Sequence, residues 1–311
     1  MYNFFTSNEE ELDKVIRETL ADQDAFVSAQ TIQTGWTNIT MDVKGELQDY
    51  IFRFPRNLFF ARMMVKDCQV CQLLHNRIHT TTPDMKLKMS ENRPFSVHKK
   101  IKGDSLTSRM DSLSPAEQAN LIDDLSGFLA ELHSLPISLI PNNIKESLGN
   151  FLDGLASVHK GNYDLGKHRA LYEMENHLQS PSIIHGDFNP GNVLLDETGH
   201  VSGIIDFSFT SISDGHADLG RFWGRSNAQL GGALVEAYQA KTKQHCDMQK
   251  IQDVVDIFKY VEYKYVEYMQ SNHPEIKIPE SVLKVSAMEA KRLQTPPQSY
   301  QKDYQNSLQL Q

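Results

Sequence analysis

The sequence predicts an α+β protein of two lobes, a small antiparallel sheet with one long helix followed by a mainly helical lobe. Over the first hundred residues, runs of β-forming side chains flank one stretch with helical spacing. Apolar residues then recur at helical spacing, interrupted by a β-like region from Ile183 to Phe207. We therefore divide the chain into an N-terminal lobe over 1–102, a C-terminal lobe over 103–295 and a polar tail over 296–311.

The N-terminal lobe is predicted to begin with a helix from Asn8 to Asp22, because Ser7 and Glu10 form a capping-box pattern. The runs ITMDV and YIFRF, separated by the turn-like KGELQD, predict two or three antiparallel strands between Thr31 and Pro55. One long helix is predicted from Leu58 to Arg77, where helical spacing occurs without Gly or Pro. The runs MKLKM and RPFSVHKKI predict two further strands.

The C-terminal lobe is predicted to open with a helix that starts at Ser114. Ser114, Pro115 and Glu117 supply an N-cap, an N1 proline and the N3 acid of a capping box. The β-like region is predicted to be a small hairpin-like insert among the helices. Further helical patterns cover residues 142–158, 165–178, 229–243, 249–271 and 279–293.

Composition narrows the function classes. The chain has 311 residues, 40% of them hydrophobic, and a formal net charge of −9, which disfavours nucleic acid as the main partner. No apolar run approaches the roughly 20 residues that span a bilayer, and the first residues lack the pattern of a signal peptide. We therefore expect no membrane partner and a cytoplasmic location. Cys68 and Cys71 form C-x-x-C without a second ligand pair, so we expect buried packing.

The segment IIHGDFNPGNVLLD carries the strongest chemical signal. Asp187 and Asn192 are five residues apart, and Asp206 follows after a strand, a turn and a second strand. The protein-kinase catalytic loop places its base, one metal-binding Asn and a later metal-binding Asp in this order. Mg²⁺ prefers such oxygen ligands. The alternative is that these residues only form turns and end a strand; the presence of all three, with His185 two residues before Asp187, favours the functional interpretation.

Two motifs, HGDFNPGNVLLD and GIIDFSFTSISDGHADLGRF, resemble the aminoglycoside phosphotransferase and choline kinase superfamily. The runs YIFRFPRN, HKKIKGDSLT and LSGFLAELHSL are similar to the 2″-aminoglycoside phosphotransferase branch in particular. The resemblance spans most of residues 30–225. It implies a two-lobed protein-kinase-like fold with ATP or GTP in the cleft, Mg²⁺ as cofactor and transfer of the γ-phosphoryl group to a small-molecule hydroxyl.

The resemblance also implies roles for individual residues. Asp187 matches the catalytic base, and Asn192 and Asp206 match the metal ligands. His185 is expected to orient the catalytic loop rather than to transfer protons. Asp218 matches a carboxylate that supports this loop, with a helix N-cap as the alternative.

The nucleotide site departs from the family pattern. Arg53 stands where the family usually has a Lys that binds the phosphates, and Asp67 is the only carboxylate on the following helix, where the usual partner is Glu. We interpret them as a swapped pair in which a longer cation reaches a shorter acid. The alternative is that Arg53 is a surface charge on an edge strand.

Other nucleotide contacts are expected at both sides of the cleft. The glycine-poor loop TGWTNIT offers Gly35, Thr37 and Asn38 for the phosphates, and GWTN resembles the G-x-T-N loop of choline and ethanolamine kinases. The main chain of Lys99 and Ile101, in the predicted hinge SVHKKIKG, is expected to bind the purine.

The acceptor is expected to be a cationic small molecule. Glu262 and Glu267 lie among aromatic side chains in YVEYKYVEYMQ, a combination that suits an ammonium group but also a plain amphipathic helix. An aminoglycoside-like amino sugar is the favoured acceptor, and choline, ethanolamine or another metabolite is the alternative. Arg53, the glycine-poor loop and Ser208 leave a third possibility, a degenerate kinase that binds nucleotide without turnover.

Overall fold

The computed structural model describes residues 8–32, 37–141, 181–272, 274, 278, 283 and 286–288. Several predictions lie outside these residues: Gly35, the helices over 142–158 and 165–178, most of the helix over 279–293, and the tail over 296–311.

The N-terminal lobe is a five-stranded antiparallel sheet with strand order β1-β2-β3-β5-β4. Asn8 rather than Ser7 is the N-cap of the first helix, and its side chain accepts a hydrogen bond from the Glu10 N–H group at 3.1 Å. The first strand begins at Phe26, ahead of the predicted start. The elements are α1 (Glu9–Leu20), β1 (Phe26–Ile32), β2 (Asn38–Gly45), β3 (Asp49–Pro55), α2 (Leu58–Leu74), β4 (Lys86–Ser90) and β5 (Arg93–Lys99).

Side chains along β3 point alternately toward the core of the lobe and toward the cleft. Phe52 and Phe54 are buried with Phe95 against α1. Because successive side chains of a strand point to opposite faces, Arg53 lies on the other face of the sheet, toward α2.

The C-terminal lobe is mainly helical around two small β-structures. The predicted capping box at Ser114 is present. Among the described residues, 3₁₀ turns cover Met110–Ser112, Ile137–Leu139 and Pro190–Asn192. The elements are β6 (Asp104–Ser105), α3 (Leu106–Arg109), α4 (Pro115–Ser134), β7 (Ser182–Ile184), β8 (Val193–Leu195), β9 (Val201–Ile204), β10 (Ser211–Ser213), α5 (His216–Arg225), α6 (Ala228–Thr242) and α7 (Met248–Asn272).

The β8–β9 hairpin is the element that organises the site. The two strands are antiparallel, Val193 pairs with Ile204, and β6 pairs with the other edge of β8. β7 and β10 form a separate antiparallel pair. The end of β7 and the start of β8 are joined by the HGDFNPGN segment, so the predicted catalytic loop lies beside the hairpin.

The two lobes share an apolar contact between α2 and α7. Phe60 of α2 is fully buried in one cluster with Val266 and Met269 of α7. All three cysteines are buried and free, which confirms the packing interpretation of Cys68 and Cys71. Within the ranges given above, we find no helix with the length and apolar character that a bilayer crossing requires.

Candidate active site

The catalytic loop has a fixed backbone. Gly186 has φ of 81°, and a Cβ atom at this position would lie 2.1 Å from the Phe209 carbonyl oxygen, so only glycine fits. Asn189 then accepts a hydrogen bond from the Gly191 N–H group at 2.8 Å and caps the short turn that leads into β8. The side chain of Asp187 follows Gly186 directly and is 21% exposed.

Asp187 and Asn192 are in direct contact. The Asn192 Nδ2 group donates to Oδ2 of Asp187 at 3.1 Å and to its backbone oxygen at 2.9 Å. Because the amide nitrogen is used in this way, the amide oxygen of Asn192 is the atom suited to a cation. On the other side of the carboxylate, Arg221 donates from Nε and Nη2 to Oδ1 at 2.9 Å and 2.7 Å.

Asp206 lies next to Asn192 at one end of the β8–β9 hairpin. The Ile205 N–H group donates to the Asn192 carbonyl oxygen at 3.0 Å, which sets the two predicted ligands side by side. Asp206 has φ of 65°, in the left-handed region that few residues other than glycine adopt. The Ser208 hydroxyl donates to Oδ1 of Asp206 at 2.7 Å and fixes the carboxylate.

This donor set fits Mg²⁺. An amide oxygen and a carboxylate are hard ligands, and Mg²⁺ takes few protein ligands because phosphate oxygens and water complete its octahedron. Asp206 is 35% exposed, so its carboxylate is accessible to a cation. In the part of the chain that the structure describes, we find no cluster of three or more His, Cys, Asp or Glu that would form an all-protein metal cage.

Asp218 is fully buried and accepts hydrogen bonds from the backbone of the catalytic loop. Its oxygens accept from the N–H groups of His185 and Gly186 at 2.8 Å and 2.9 Å. This is the contact expected of a loop-supporting carboxylate; the N-cap residue of α5 is Gly215. Nε2 of His133, a residue that the sequence analysis did not single out, lies 3.1 Å from the same carboxylate.

His185 is buried between the loop and the hairpin. Its Nδ1 atom accepts from the Asp187 N–H group at 3.3 Å, and Nε2 lies 3.1 Å from the Ile205 carbonyl oxygen. These partners assign the proton to Nε2. The ring therefore links the segment of the predicted base to the segment of the predicted metal ligand, as its expected orienting role requires.

Arg53 and Asp67 form the predicted pair. Arg53 Nη1 contacts Oδ2 of Asp67, and Nη2 lies 3.8 Å from Oδ1 of Asp206. Burial lowers the pKa of Arg53, but the two carboxylates outweigh burial and raise it above its ordinary value, so the guanidinium stays charged. Arg53 is not an edge-strand surface charge, because β3 lies between β2 and β5 and the side chain is 14% exposed.

Asp67 also connects α2 to the metal-ligand segment. Its Oδ1 atom accepts from the Phe207 N–H group at 2.9 Å. Burial raises the pKa of Asp67, and the neighbouring Arg53 opposes that rise. One buried carboxylate thus fixes the proposed phosphate-binding cation relative to the backbone beside Asp206.

The remaining nucleotide candidates lie at the edges of the cleft. Asn38 is the first residue of β2 and Thr37 directly precedes it, and the Asn38 amide donates to the Thr37 hydroxyl at 2.8 Å. Lys99 ends β5, and its carbonyl oxygen lies 2.8 Å from Nδ1 of His98. A carbonyl oxygen has two lone pairs, so this contact leaves room for a second donor. The side chain of Ile101 packs against Gly203 of β9.

Glu262 and Glu267 both lie on α7, but each already has a cationic partner. Glu262 is 6% exposed, contacts Arg225 and lies 3.9 Å from Nη1 of Arg221. Glu267 accepts from Lys264 at 2.8 Å. Arg221 joins Glu262 to Asp187, whereas the partners of Glu267, Tyr263 and Lys264, lie on α7 itself.

Three further residues at the site were not assigned roles from the sequence: Arg221, His133 and Ser208. Arg221 follows Asp218 by three residues on one helix, so the two share a helix face. The three-residue spacing of Asp218 and Arg221 could have indicated that both side chains lie at the site. That conclusion required the helix α5 to be predicted first.

Comparisons with known proteins identify the family of this chain. The family model described as the phosphotransferase enzyme family matches residues 28–250. Aminoglycoside 3′-phosphotransferases of Escherichia coli and Salmonella typhimurium are 29% identical over 155 residues and 28% identical over 154 residues. Each match covers 44% of this chain and 55% of the relative, so the chain spans about half the length of these curated relatives.

Solved structures are similar over most of the chain. The GDP complex of wild-type aminoglycoside 2′-phosphotransferase-IIIa has a TM-score of 0.69 and 18% identity, and the match covers 91% of this chain and 98% of that one. The apoenzyme of macrolide 2′-phosphotransferase from Brachybacterium faecium has a TM-score of 0.62 and 14% identity, with 87% and 99% covered. At these identities the likeness establishes the fold, which is the predicted two-lobed, protein-kinase-like one. With a family match over more than half of its residues, the chain belongs to the phosphotransferase enzyme family.

Proposed function

We propose that this chain is a small-molecule O-kinase that transfers the γ-phosphoryl group of ATP or GTP to an acceptor hydroxyl. The observation that supports this best is the convergence of four side chains. Asn192 contacts Asp187 at 3.1 Å, Ile205 holds the backbone of Asn192 beside Asp206, and Arg53 lies 3.8 Å from Asp206. A base, two metal-binding oxygens and a phosphate-binding cation therefore adjoin one another, which is what phosphoryl transfer requires.

Each residue then has a distinct task. The acceptor oxygen bonds to the γ-phosphorus, the bond to the β–γ bridging oxygen breaks, and the nucleoside diphosphate leaves. Asp187 orients the acceptor hydroxyl and receives its proton. Arg53 binds phosphate oxygens, and Asn192 and Asp206 would hold Mg²⁺, which would supply positive charge to the transferring phosphates.

An aminoglycoside-like amino sugar is the favoured acceptor. The curated relatives are aminoglycoside phosphotransferases, and similar solved structures include complexes with kanamycin, streptomycin and gentamicin. Choline, ethanolamine, a macrolide or another metabolite hydroxyl remains the alternative. A cationic acceptor would have to share Glu262 with Arg225 and Glu267 with Lys264, so the acceptor range must be tested broadly.

The test measures Mg²⁺-dependent consumption of ATP and of GTP with a panel of amino sugars, macrolides and amino alcohols. We expect one class to raise turnover far above the rate without acceptor, with a phosphorylated product detected by mass spectrometry. The matched control is Asp187→Asn, which should remove that stimulation. Nucleotide binding with no stimulation by any acceptor would contradict the proposal and favour a degenerate nucleotide-binding protein.

A further inference from the structure

Arg221 contacts the proposed base directly. Its Nε and Nη2 groups both donate to Oδ1 of Asp187, at 2.9 Å and 2.7 Å, and hydrogen bonds between ionised partners are about twice as strong as neutral ones. Arg221 and Asp218 lie on the same helix, α5. One helix thus supplies the carboxylate that holds the catalytic loop and the guanidinium that contacts the base.

The guanidinium is itself fixed by α7. Nη1 of Arg221 lies 3.9 Å from Oε2 of Glu262, and the group lies over the Phe258 ring at 4.7 Å from the centroid. Glu262 is 6% exposed and also contacts Arg225. An arginine that is held by a carboxylate, a ring and the base itself has little freedom to turn, and Arg221 is only 14% exposed.

These contacts give the two oxygens of the Asp187 carboxylate different partners. Oδ1 accepts two N–H groups of Arg221, which occupies both of its acceptor positions. Among the described residues, Oδ2 has one partner, the Asn192 amide at 3.1 Å. An ionised carboxylate has about four acceptor positions, so the position that remains for a hydroxyl is on Oδ2.

We propose that Arg221 is a positioning residue that turns Asp187 so that Oδ2, the oxygen beside Asn192, receives the proton of the acceptor hydroxyl. This inference rests on the proposed kinase function. Oδ2 lies on the side of the predicted metal ligand, so the hydroxyl is held toward the phosphoryl group. Without Arg221 the carboxylate can rotate, and either oxygen can face the acceptor. Arg221 therefore acts on the chemical step rather than on the binding of either substrate.

The experiment compares Arg221→Gln with wild type, using the acceptor that supports turnover. We expect kcat to fall by about 10- to 100-fold, while KM for nucleotide and acceptor changes by less than about threefold. Arg221→Lys keeps the charge without the two-pronged donor geometry and should recover part of the loss. The matched control is Arg93→Gln, which removes an arginine of similar exposure, 13% against 14%, from an ion pair with Glu11 in the N-terminal lobe. Its kcat should stay within about twofold of wild type.

Two results would overturn the proposal. One is an Arg221→Gln enzyme whose kcat matches wild type or whose defect lies only in KM. The other comes from a double-mutant cycle of unfolding free energies with Asp187→Asn, Arg221→Gln and both changes, which needs no acceptor. A coupling free energy of zero would show that Arg221 and Asp187 do not interact in the folded protein. A clear coupling in a protein that phosphorylates nothing would support the contact and contradict the kinase function instead.

Discussion

Asp187 and Asp206 carry the same charge in different surroundings. Both oxygens of Asp187 accept hydrogen bonds, from Arg221 and from Asn192, so its orientation is fixed from two sides. Asp206 instead has a left-handed backbone, which costs a residue with a side chain about 1 kcal/mol. Such strain is typical of functional positions, and here the Ser208 hydroxyl and the nearby Arg53 hold the carboxylate in place.

Replacing the proposed base, Asp187, should separate catalysis from binding. We expect Asp187→Asn to lower the transfer rate by at least about 10³-fold, because an amide of the same shape cannot accept the hydroxyl proton. Nucleotide affinity should change by less than about threefold, since Asp187 is not one of the proposed metal ligands. Rates from product formation and affinities from nucleotide titration provide the check. If the variant turns over near the wild-type rate, Asp187 is not the base.

Ser208 should affect Mg²⁺ binding at the proposed metal site without contacting the nucleotide. Ser208→Ala removes the hydroxyl that donates to Oδ1 of Asp206 at 2.7 Å. Loss of a residue that orients a metal ligand typically weakens metal binding by about 10- to 100-fold, so the Mg²⁺ concentration for half-maximal activity should rise by about tenfold. Ser126→Ala, which removes a buried hydroxyl from α4, is the control and should leave the Mg²⁺ requirement unchanged. An identical Mg²⁺ dependence in both variants would argue against this role.

At the scale of the element, α5 connects the catalytic loop to α7. Its Asp218 accepts a hydrogen bond from Gly186 of this loop, and its Arg221 donates to Asp187, the proposed base. It also packs closely on α7, because a Cβ atom at Gly220 would lie 2.5 Å from Cγ1 of Val254. The sequence pattern does not predict this helix, because SDGHADLGRFWG contains three glycines and follows turn-forming residues. Burial of Leu219 and Phe222 against the core outweighs that weak propensity.

Asp218 should be essential to the loop rather than to a substrate. Asp218→Asn keeps the shape but places an NH₂ group against a backbone N–H donor of His185 or Gly186, leaving buried groups unsatisfied. We expect a loss of about 2–4 kcal/mol in the free energy of unfolding, measured by chemical denaturation, together with a lower transfer rate. Asp123→Asn, at an exposed ion pair with Lys241, should cost less than about 1 kcal/mol. Equal costs at the two positions would contradict the assigned role of Asp218.

The sequence predicted those features that local patterns determine. Arg53 stands where the family usually has a phosphate-binding Lys, and Asp67 is the only acid on the next helix, so their contact was predicted. The β8–β9 hairpin followed from its two apolar runs and turn. By contrast, the contact of Arg221 with Asp187 depends on how α5 packs against the catalytic loop, and no local pattern determines such packing.

At the scale of the molecule, two different periodicities predicted the two lobes, but not the contacts between them. The cluster of Phe60 with Val266 and Met269 joins α2, which carries Asp67, to α7, which carries Glu262. The proposed nucleotide and acceptor sides of the cleft thus share one apolar contact. The boundary between residues 102 and 103 stays a prediction, and β6, which follows it directly, pairs with β8 of the C-terminal lobe.

The stability of the whole fold should depend on pH through His98. Burial lowers the pKa of His98 from an ordinary 6.5 to about 4, and the charge of Arg53 acts in the same direction. The side chain is 9% exposed, and its Nδ1 atom lies 2.8 Å from the Lys99 carbonyl oxygen. Between these two pKa values the unfolded chain binds a proton that the folded chain does not. The free energy of unfolding therefore falls as pH drops from about 6.5 to about 4. Below about pH 4, His98 lowers it no further.

His98→Gln should remove part of that dependence. At about pH 5 the unfolded state gains about 2 kcal/mol from protonation of His98, whereas at about pH 7.5 it gains almost nothing. We expect the free energy of unfolding of wild type to fall between these two pH values by about 2 kcal/mol more than that of the variant, as measured by chemical denaturation at each pH. The other histidines and the carboxylates titrate in both proteins, so the difference between the two losses isolates His98. Equal losses in the two proteins would mean that His98 accepts a proton in the folded state as readily as in the unfolded chain.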